Sequence, residues 1–534
     1  MVEAEQAALV GWVASGGLVA WWLAWRLCTA LGVVVMERQP LATWSQGRAA
    51  VALGAALACL WLRSRHRYLR GMRRAGAQPG RVYRHGDVLL GTDLVRKLLA
   101  AAQAGVTPQF WHAMLTAPET RGTCWVNAMG HWDVMTNEPE NIKTLLASHF
   151  DAWDILGLRQ KATALVLGPN SIFSANGQVW AQARAMMRPS FVRNQIADLG
   201  CTNRHVDAFL ARMPRDGATV DVQDLLFMFT MDLSTDFMFG YSTSMLVKPN
   251  SDAVDFSKSF DYALYESASR ARLGMLERYL PKRKLQQTVR VCRAFIDRHV
   301  AAALERGRSN ERPYVFMNEM IESGASHEQI TEQLLAMILG GRDTSAATLS
   351  AMFWILARRP DVVRAIRAEL QEFGGCALTW DELRGLKYLN NVLKETLRLW
   401  GPVPFNSRQA TRDTVLPKGG GPDGQSPLFI LKGTSCRYSP WSMHRRKDIY
   451  GDDADEFRPD RWETLRVSWE YLPFSGGPRI CIGQQFAITT MLALAARFWQ
   501  TFEAIEARDD RPMLYRVSTT TSLMNGCLVG LTPA

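Results

Sequence analysis

From about residue 82 onward, apolar positions recur every three to four residues along most of the chain, the period of a helix packed on one face. The segments Asn141 to Ser148, Gln178 to Met187, Val222 to Phe239, Val289 to Ala303, Leu389 to Leu399 and Gln485 to Phe502 carry the pattern most strongly. Strand-like stretches are few and short, Cys124 to Val134 and Leu428 to Leu431 among them, and Gly419 to Gly424 is turn sequence. The expected fold is mainly α with a small β sheet region. One helix is unusually long. Ser326 and Gln329 have capping-box spacing, and the apolar pattern then runs to Arg358, two residues before Pro360. At 1.5 Å per residue this helix is roughly 48 Å long, and it is apolar nearly all round, so it should cross the core.

The first 80 residues follow another pattern. Ala7 to Trp25 carries no charge and ends in a tryptophan cluster, close to the roughly 20 residues a membrane-spanning helix needs. A second apolar run, residues 49–62, is shorter and is followed by Arg63, Arg65, Arg67, Arg70, Arg73 and Arg74 without an intervening acid. This arrangement predicts a membrane anchor region over 1–62, with one N-terminal transmembrane helix at about 7–25, and a basic linker over 63–80. The catalytic domain would occupy 81–534 and face the cytosol. A single-pass anchor is the topology expected.

Composition narrows the function. The 534 residues are 47% hydrophobic and 21% charged, which excludes a disordered or collagen-like chain. The net charge is +11, and six arginines of the juxtamembrane block match much of that excess, so the charge points to membrane lipid and not to nucleic acid. Nine cysteines, widely spaced and without a C-x-x-C pair, argue against both a disulfide framework and a structural zinc site.

Two stretches carry candidate chemistry. In the middle of the long helix stands Gly340-Gly341-Arg342-Asp343-Thr344-Ser345. Glycines inside a helix cost about 1 kcal/mol each relative to alanine, and a core aspartate needs a partner. The stretch is either a kink with a surface acid or an opening for a flat ligand beside an acid–alcohol pair. Near the C-terminus, Phe474-Ser475-Gly476-Gly477-Pro478-Arg479-Ile480-Cys481-Ile482-Gly483 places a cysteine in a glycine-rich turn before a helix N-terminus, which favours the thiolate. Phe474 can shield one side and Arg479 can pair with a carboxylate. These are the features that a thiolate ligand of haem iron requires.

Taken together the motifs resemble the cytochrome P450 superfamily of haem-thiolate monooxygenases. The cysteine loop fits F-x-x-G-x-R-x-C-x-G, and residues 340–345 fit [AG]-G-x-[DE]-T-[TS]. Glu395 and Arg398 fit E-x-x-R, Arg461 lies in the later segment that completes the pair, and Trp180 and Arg184 fit the helix that contacts a haem propionate. On periodicity alone Trp180 and Arg184 are equally a core tryptophan and a surface arginine. The resemblance implies a cytochrome P450 fold and haem b, with Cys481 as the iron ligand. Trp180, Arg184, Arg408, Phe474 and Arg479 would hold the cofactor, and Asp343 and Thr344 would be the proton-relaying catalytic pair. Glu395, Arg398 and Arg461 would form a structural triad, and His444 would be a hydrogen-bonding residue of the surrounding loops.

Electrons would come from NADPH through a separate FAD- and FMN-containing reductase, with cytochrome b5 as a further donor. Several segments, residues 137–142 and 443–451 among them, are similar to fungal microsomal enzymes that hydroxylate alkanes and fatty acids. A lipophilic small-molecule substrate follows from the resemblance: a long-chain alkane or fatty acid, or alternatively a polyketide or terpenoid intermediate of secondary metabolism.

Overall fold

The computed structural model describes residues 42–249, 251–272, 277, 279–306 and 316–534. The chain forms two compact units that alternate along the sequence. Among the described residues, one comprises those up to Asp154 with Phe405–Met443, and the other those of Ile155–Pro404 with His444–Ala534.

In the first unit, helix α1 (Ala42–Arg74) contains the apolar run 49–62, and the arginine block continues it. Among its described side chains, Cys59 and Leu62 are exposed, while Tyr68 is buried against Phe429. Among the described residues no helix is long and apolar enough to cross a membrane, and the expected span at 7–25 lies outside them.

The main sheet of this unit has five strands, β1 (Thr123–Ala128), β2 (His131–Thr136), β3 (Trp153–Asp154), β4 (Asn406–Ala410) and β7 (Ser435–Tyr438), in the order β1-β2-β7-β4-β3. Between β4 and β7 the chain makes a separate hairpin, β5 (Thr414–Gly420) with β6 (Ser426–Ile430). The stretch expected as one strand over 124–134 is therefore a hairpin. Met129 and Gly130 both have positive φ, the two-residue turn whose twist matches antiparallel strands, and the register sets Ala128 opposite His131.

The second unit is largely helical. Its helices include α2 (Gly177–Met187), α3 (Gly200–Ala211), α4 (Val222–Phe239), α5 (Ser251–Arg272), α6 (His327–Ile338), α7 (Thr344–Leu356), α8 (Lys387–Trp400) and α9 (Gln484–Thr501). A three-stranded sheet (Val220–Asp221, Leu528–Pro533, Phe502–Ala507) and the pair Tyr515–Val517 with Thr521–Leu523 complete it. Local signals explain the ends of α4: the Asp221 side chain accepts from the Gln223 N–H at 2.9 Å, and Gly240 leaves the helix in the left-handed region.

The long central helix runs from the Ser326–Gln329 capping box through α6 and α7, joined by one π-helical turn, Leu339–Asp343. Its two halves sit in different apolar clusters. Leu349, Met352 and Phe353 pack with Val392 and Leu393 of α8 and with Leu492 and Phe498 of α9. Leu334, Ile338 and Leu339 pack with Met231 of α4, Phe256 of α5 and Phe295. The π turn thus falls where one core gives way to the other.

Candidate active site

The cysteine loop is built on backbone that side chains elsewhere would strain. Ser475 (φ 63°) and Gly477 (φ 67°) both lie in the left-handed region, and a Cβ at Gly476 would come 2.8 Å from the Trp469 ring. The loop closes with the Cys481 N–H donating to the Phe474 carbonyl at 3.0 Å, just before α9. Cys481 is open to solvent, yet protein atoms crowd it enough for desolvation to push its thiol above the ordinary value. A sulfur both accessible and crowded forms the wall of a hollow and not an outer surface. The Gly483 N–H and the charge of Arg184 oppose the burial and favour the thiolate. A separate cavity of about 400 Å3, lined by Leu397, Trp469, Phe474 and Ile488 among others, adjoins the loop without Cys481 in its wall.

Helix α2 delivers the side chains expected at this loop. Arg184 donates to the Ile480 carbonyl at 2.9 Å, and burial lowers its own value. The Arg479 guanidinium lies 4.3 Å from the centre of the buried Trp180 ring and donates to Ala175 O (3.0 Å) and Asn176 Oδ1 (3.1 Å). Trp180, Arg184, Arg479, Phe474 and Cys481 are therefore brought together, and Arg184 is not the surface arginine that periodicity alone allows.

Arg408 belongs to β4 of the first unit. It is buried, donates to Ser407 O at 2.8 Å, and its Nε has no hydrogen-bond partner. Among the described residues neither Arg184 nor Arg408 pairs with a carboxylate of the protein. Within the second unit, a half-buried arginine without a protein anion fits a propionate of haem, and an accessible thiol in a glycine-rich loop fits its iron.

In the central helix the two glycines do different work. A Cβ at Gly341 would come 2.8 Å from Ser234 Oγ of α4, so this glycine serves close helix packing. At Gly340 the nearest atom to an added Cβ is in the Phe173 ring, 3.8 Å away, which leaves that face open. The π turn frees a carbonyl, and Thr344 Oγ1 donates to Gly340 O at 2.6 Å. Phe173, Met337 and Ile482 of the cysteine loop all edge the cluster that contains Leu339, so the π turn and the loop border one apolar region.

Asp343 is buried, and that burial raises its carboxyl to about 6 against the opposing pull of Arg342. Sequence reasoning assigned Arg342 no role. It is buried beside Asp343 (3.0 Å), reaches Asp261 (3.1 Å to Oδ2) and Ser257 Oγ (3.2 Å) on α5, and stacks on Phe227. Asp261 is 53% exposed, so this chain of charges runs from solvent to the buried acid. An arginine at the variable position of a helix motif was the available signal. Its partner, 81 residues away on α5, gave none.

The triad is present and buried. Arg398 donates twice to Glu395 (2.8 and 2.9 Å), Arg461 Nε donates to the same carboxylate at 2.8 Å, and Trp462 Nε1 adds a fourth bond at 3.0 Å. Arg398 also holds the His444 and Ala454 carbonyls, at 2.7 and 2.6 Å. His444 is a hydrogen-bonding residue, with Nδ1 on Arg398 O (3.1 Å) and Nε2 accepting from the Leu472 N–H (2.9 Å). Burial lowers its value to about 3, so both ring nitrogens keep these roles at neutral pH.

Comparison with known proteins agrees with this geometry. The family model described as Cytochrome P450 matches residues 103–525. The chain is 42% identical over 409 residues to cytochrome P450 monooxygenase FPY7 of Fusarium mangiferae, covering 74% of this chain and 78% of that protein. It is 38% identical over 472 residues to cytochrome P450 monooxygenase himC of Aspergillus japonicus (85% and 84%), and 38% over 403 residues to cytochrome P450 52A13 of Debaryomyces hansenii (71% and 77%).

Proposed function

The chain belongs to the cytochrome P450 family, whose members are monooxygenases that use a haem held by a cysteine thiolate and electrons from NADPH through a reductase; on that premise we propose that Cys481 is the iron ligand and that the protein inserts oxygen into a C–H bond of a long aliphatic substrate. The observation that carries the reading is the accessible thiol on a rigid loop bordering the same apolar region as the Gly340–Thr344 turn. Phe173, Met337 and Ile482, only partly buried at the edge of that cluster, offer an aliphatic chain van der Waals contact and few polar groups. The resemblance to fungal alkane and fatty-acid hydroxylases supports the same class.

When bound, haem supplies the iron at which dioxygen is reduced and cleaved. The side chains do the rest. Arg184 holds the loop through Ile480, and with Trp180 and Arg479 it would offer cations and an indole N–H to the propionates; Phe474 flanks the loop on the side of its backbone bond to Cys481. Thr344 can exchange its bond to Gly340 O for one to the reacting oxygen. Asp343 passes protons inward, because a carboxyl with a value near 6 both binds and releases them at neutral pH. Arg342 and Asp261 position that carboxyl.

Two outcomes follow for this pair. Thr344→Ala keeps its haem but loses coupling: NADPH is still consumed, and hydrogen peroxide replaces product. Asp343→Asn slows turnover by about 10² or more, the contribution of a positioned acid. The protonated fraction of Asp343 rises as pH falls toward about 6, so turnover of the parent enzyme should climb from pH 8 to 6, and the Asn variant should be flat across that range. Product formed per NADPH, measured against pH, checks both; unchanged coupling in Thr344→Ala would remove the threonine from the mechanism.

Substrate class is tested by mass spectrometry of products after offering fatty acids, alkanes and host metabolite extract with NADPH and reductase. Terminally or subterminally hydroxylated chains support the reading, and turnover only of a polyketide or terpenoid overturns it. We place the protein on the endoplasmic reticulum membrane, with cytochrome b5 as a second electron donor. Alkaline carbonate extraction of the full chain and of a chain lacking residues 1–74 tests the anchor: equal retention of both would contradict it.

A further inference from the structure

Away from the cysteine loop, three side chains of metal-ligating type converge between α3 and α4. Cys201 and His205, one helical turn apart on α3, both face Asp236 of α4, and the ligand atoms all lie within 4.8 Å of one another. Cys201 Sγ is 3.3 Å and His205 Nε2 3.0 Å from the same oxygen, Asp236 Oδ2. His205 and Asp236 are buried and Cys201 is half-buried. We infer that this cluster is a zinc site that ties α3 to α4.

The distances suit the ion. Zinc bonds of about 2.0–2.3 Å to nitrogen, oxygen and sulfur, set at the tetrahedral angle, put neighbouring ligand atoms about 3.4–3.6 Å apart. The two separations from Asp236 Oδ2 need to widen by a few tenths of an ångström, and the Cys201 Sγ to His205 Nε2 separation, within 4.8 Å, has to settle at about 3.6 Å. A cysteine, a histidine and an aspartate are also the donor set that this borderline ion accepts, with a fourth position for water.

A further neighbour is Arg204, whose Nη2 lies 3.1 Å from Asp236 Oδ2. Without metal, thiol, imidazole and guanidinium all serve one oxygen. Arg204 is 59% exposed and can withdraw into solvent. Binding balances in charge and atoms: the S–H bond breaks and its proton goes to solvent, a Zn–S bond forms, and imidazole carries its proton on Nδ1 so that Nε2 coordinates. Thiolate and carboxylate neutralise the dication, so Asp236 no longer needs the arginine. The same helix carries Ser234, which packs on Gly341 of the π turn. A metal fixing Asp236 therefore anchors α4 two residues from that contact.

The test uses the full-length haem-loaded protein and zinc ion alone, with a chromophoric zinc chelator as competitor. One zinc per chain should bind with a Kd of about 1 µM or tighter. Cys201→Ser and His205→Gln should each weaken binding at least about tenfold, and Arg204→Ala should strengthen it because a competitor for Asp236 is gone. The reduced carbon monoxide spectrum of each variant shows whether it has folded. In the unaltered protein, zinc should shield Cys201 from iodoacetamide, mapped by peptide mass spectrometry. Absence of stoichiometric zinc, equal affinity in the Cys201→Ser/His205→Gln double variant, or undiminished alkylation of Cys201 would each overturn the site and leave a hydrogen-bond network. None of these outcomes bears on Cys481.

Discussion

Glu395→Ala is expected to yield a protein that folds poorly and fails to hold haem. Among the described residues Glu395 is the only carboxylate that Arg398 contacts, and the side chains of both are fully buried. The substitution leaves the buried Arg398 cation with backbone carbonyls but no anion, strips Arg461 Nε, Trp462 Nε1 and the Arg458 N–H of their acceptor, and opens a cavity. Breaking a buried ion pair by removing one partner costs about 3–5 kcal/mol, a large share of the roughly 5–15 kcal/mol that holds a typical domain together.

The damage reaches the cysteine loop through named bonds. Arg398 grips the His444 carbonyl, the His444 ring binds the Leu472 N–H, and two residues on the Phe474 carbonyl receives the Cys481 N–H. Haem content and the thermal midpoint of Glu395→Ala check this, with Glu395→Gln, which keeps acceptors but not charge, expected in between. Parent-like values for both quantities in the alanine variant would show that the triad does not support the loop.

Cys481→Ala should abolish product formation while the rest of the fold survives. Cys481 is exposed and contributes no core packing, so its loss carries little stability cost. No other described cysteine can substitute. Burial pushes Cys124 and Cys292 up to about 12, and Cys436 and Cys527 higher still, which keeps all four as inert thiols. Cys59 lies within α1, Cys376 follows the Gly374–Gly375 turn but without the Trp180, Arg184 and Arg479 that gather at the Cys481 loop, and Cys201 is hydrogen-bonded to Asp236. Product formed per enzyme in Cys481→Ala, with Cys376→Ser as the control, decides it. Retained hydroxylation in the alanine variant would remove Cys481 from the reaction.

What could be read from the chain alone was mostly local. The Ser326–Gln329 box and the helical period of α4 and α8 depend on neighbours in sequence, and each appears where the pattern puts it. The π turn was hidden because an extra residue in one turn leaves the helix continuous and apolar on both sides. Gly341 read as part of an opening for ligand; its reason is Ser234 of α4, more than a hundred residues earlier. The Met129–Gly130 turn escaped notice because methionine is rare at a left-handed position, where asparagine or aspartate would have announced a hairpin. Arg342 with Asp261, and Cys201 with Asp236, pair residues from separate helices, and no spacing rule along the sequence brings such partners together.

The central claim is that Cys481 gives its thiolate to haem iron, and the most direct measurement is the absorption spectrum of the dithionite-reduced protein under carbon monoxide. The account predicts a Soret band near the wavelength that gives the family its name in the parent protein, and its complete absence in Cys481→Ala. A parent spectrum with only the shorter-wavelength band of haem lacking a thiolate, or a family-type band that persists in Cys481→Ala, would contradict it.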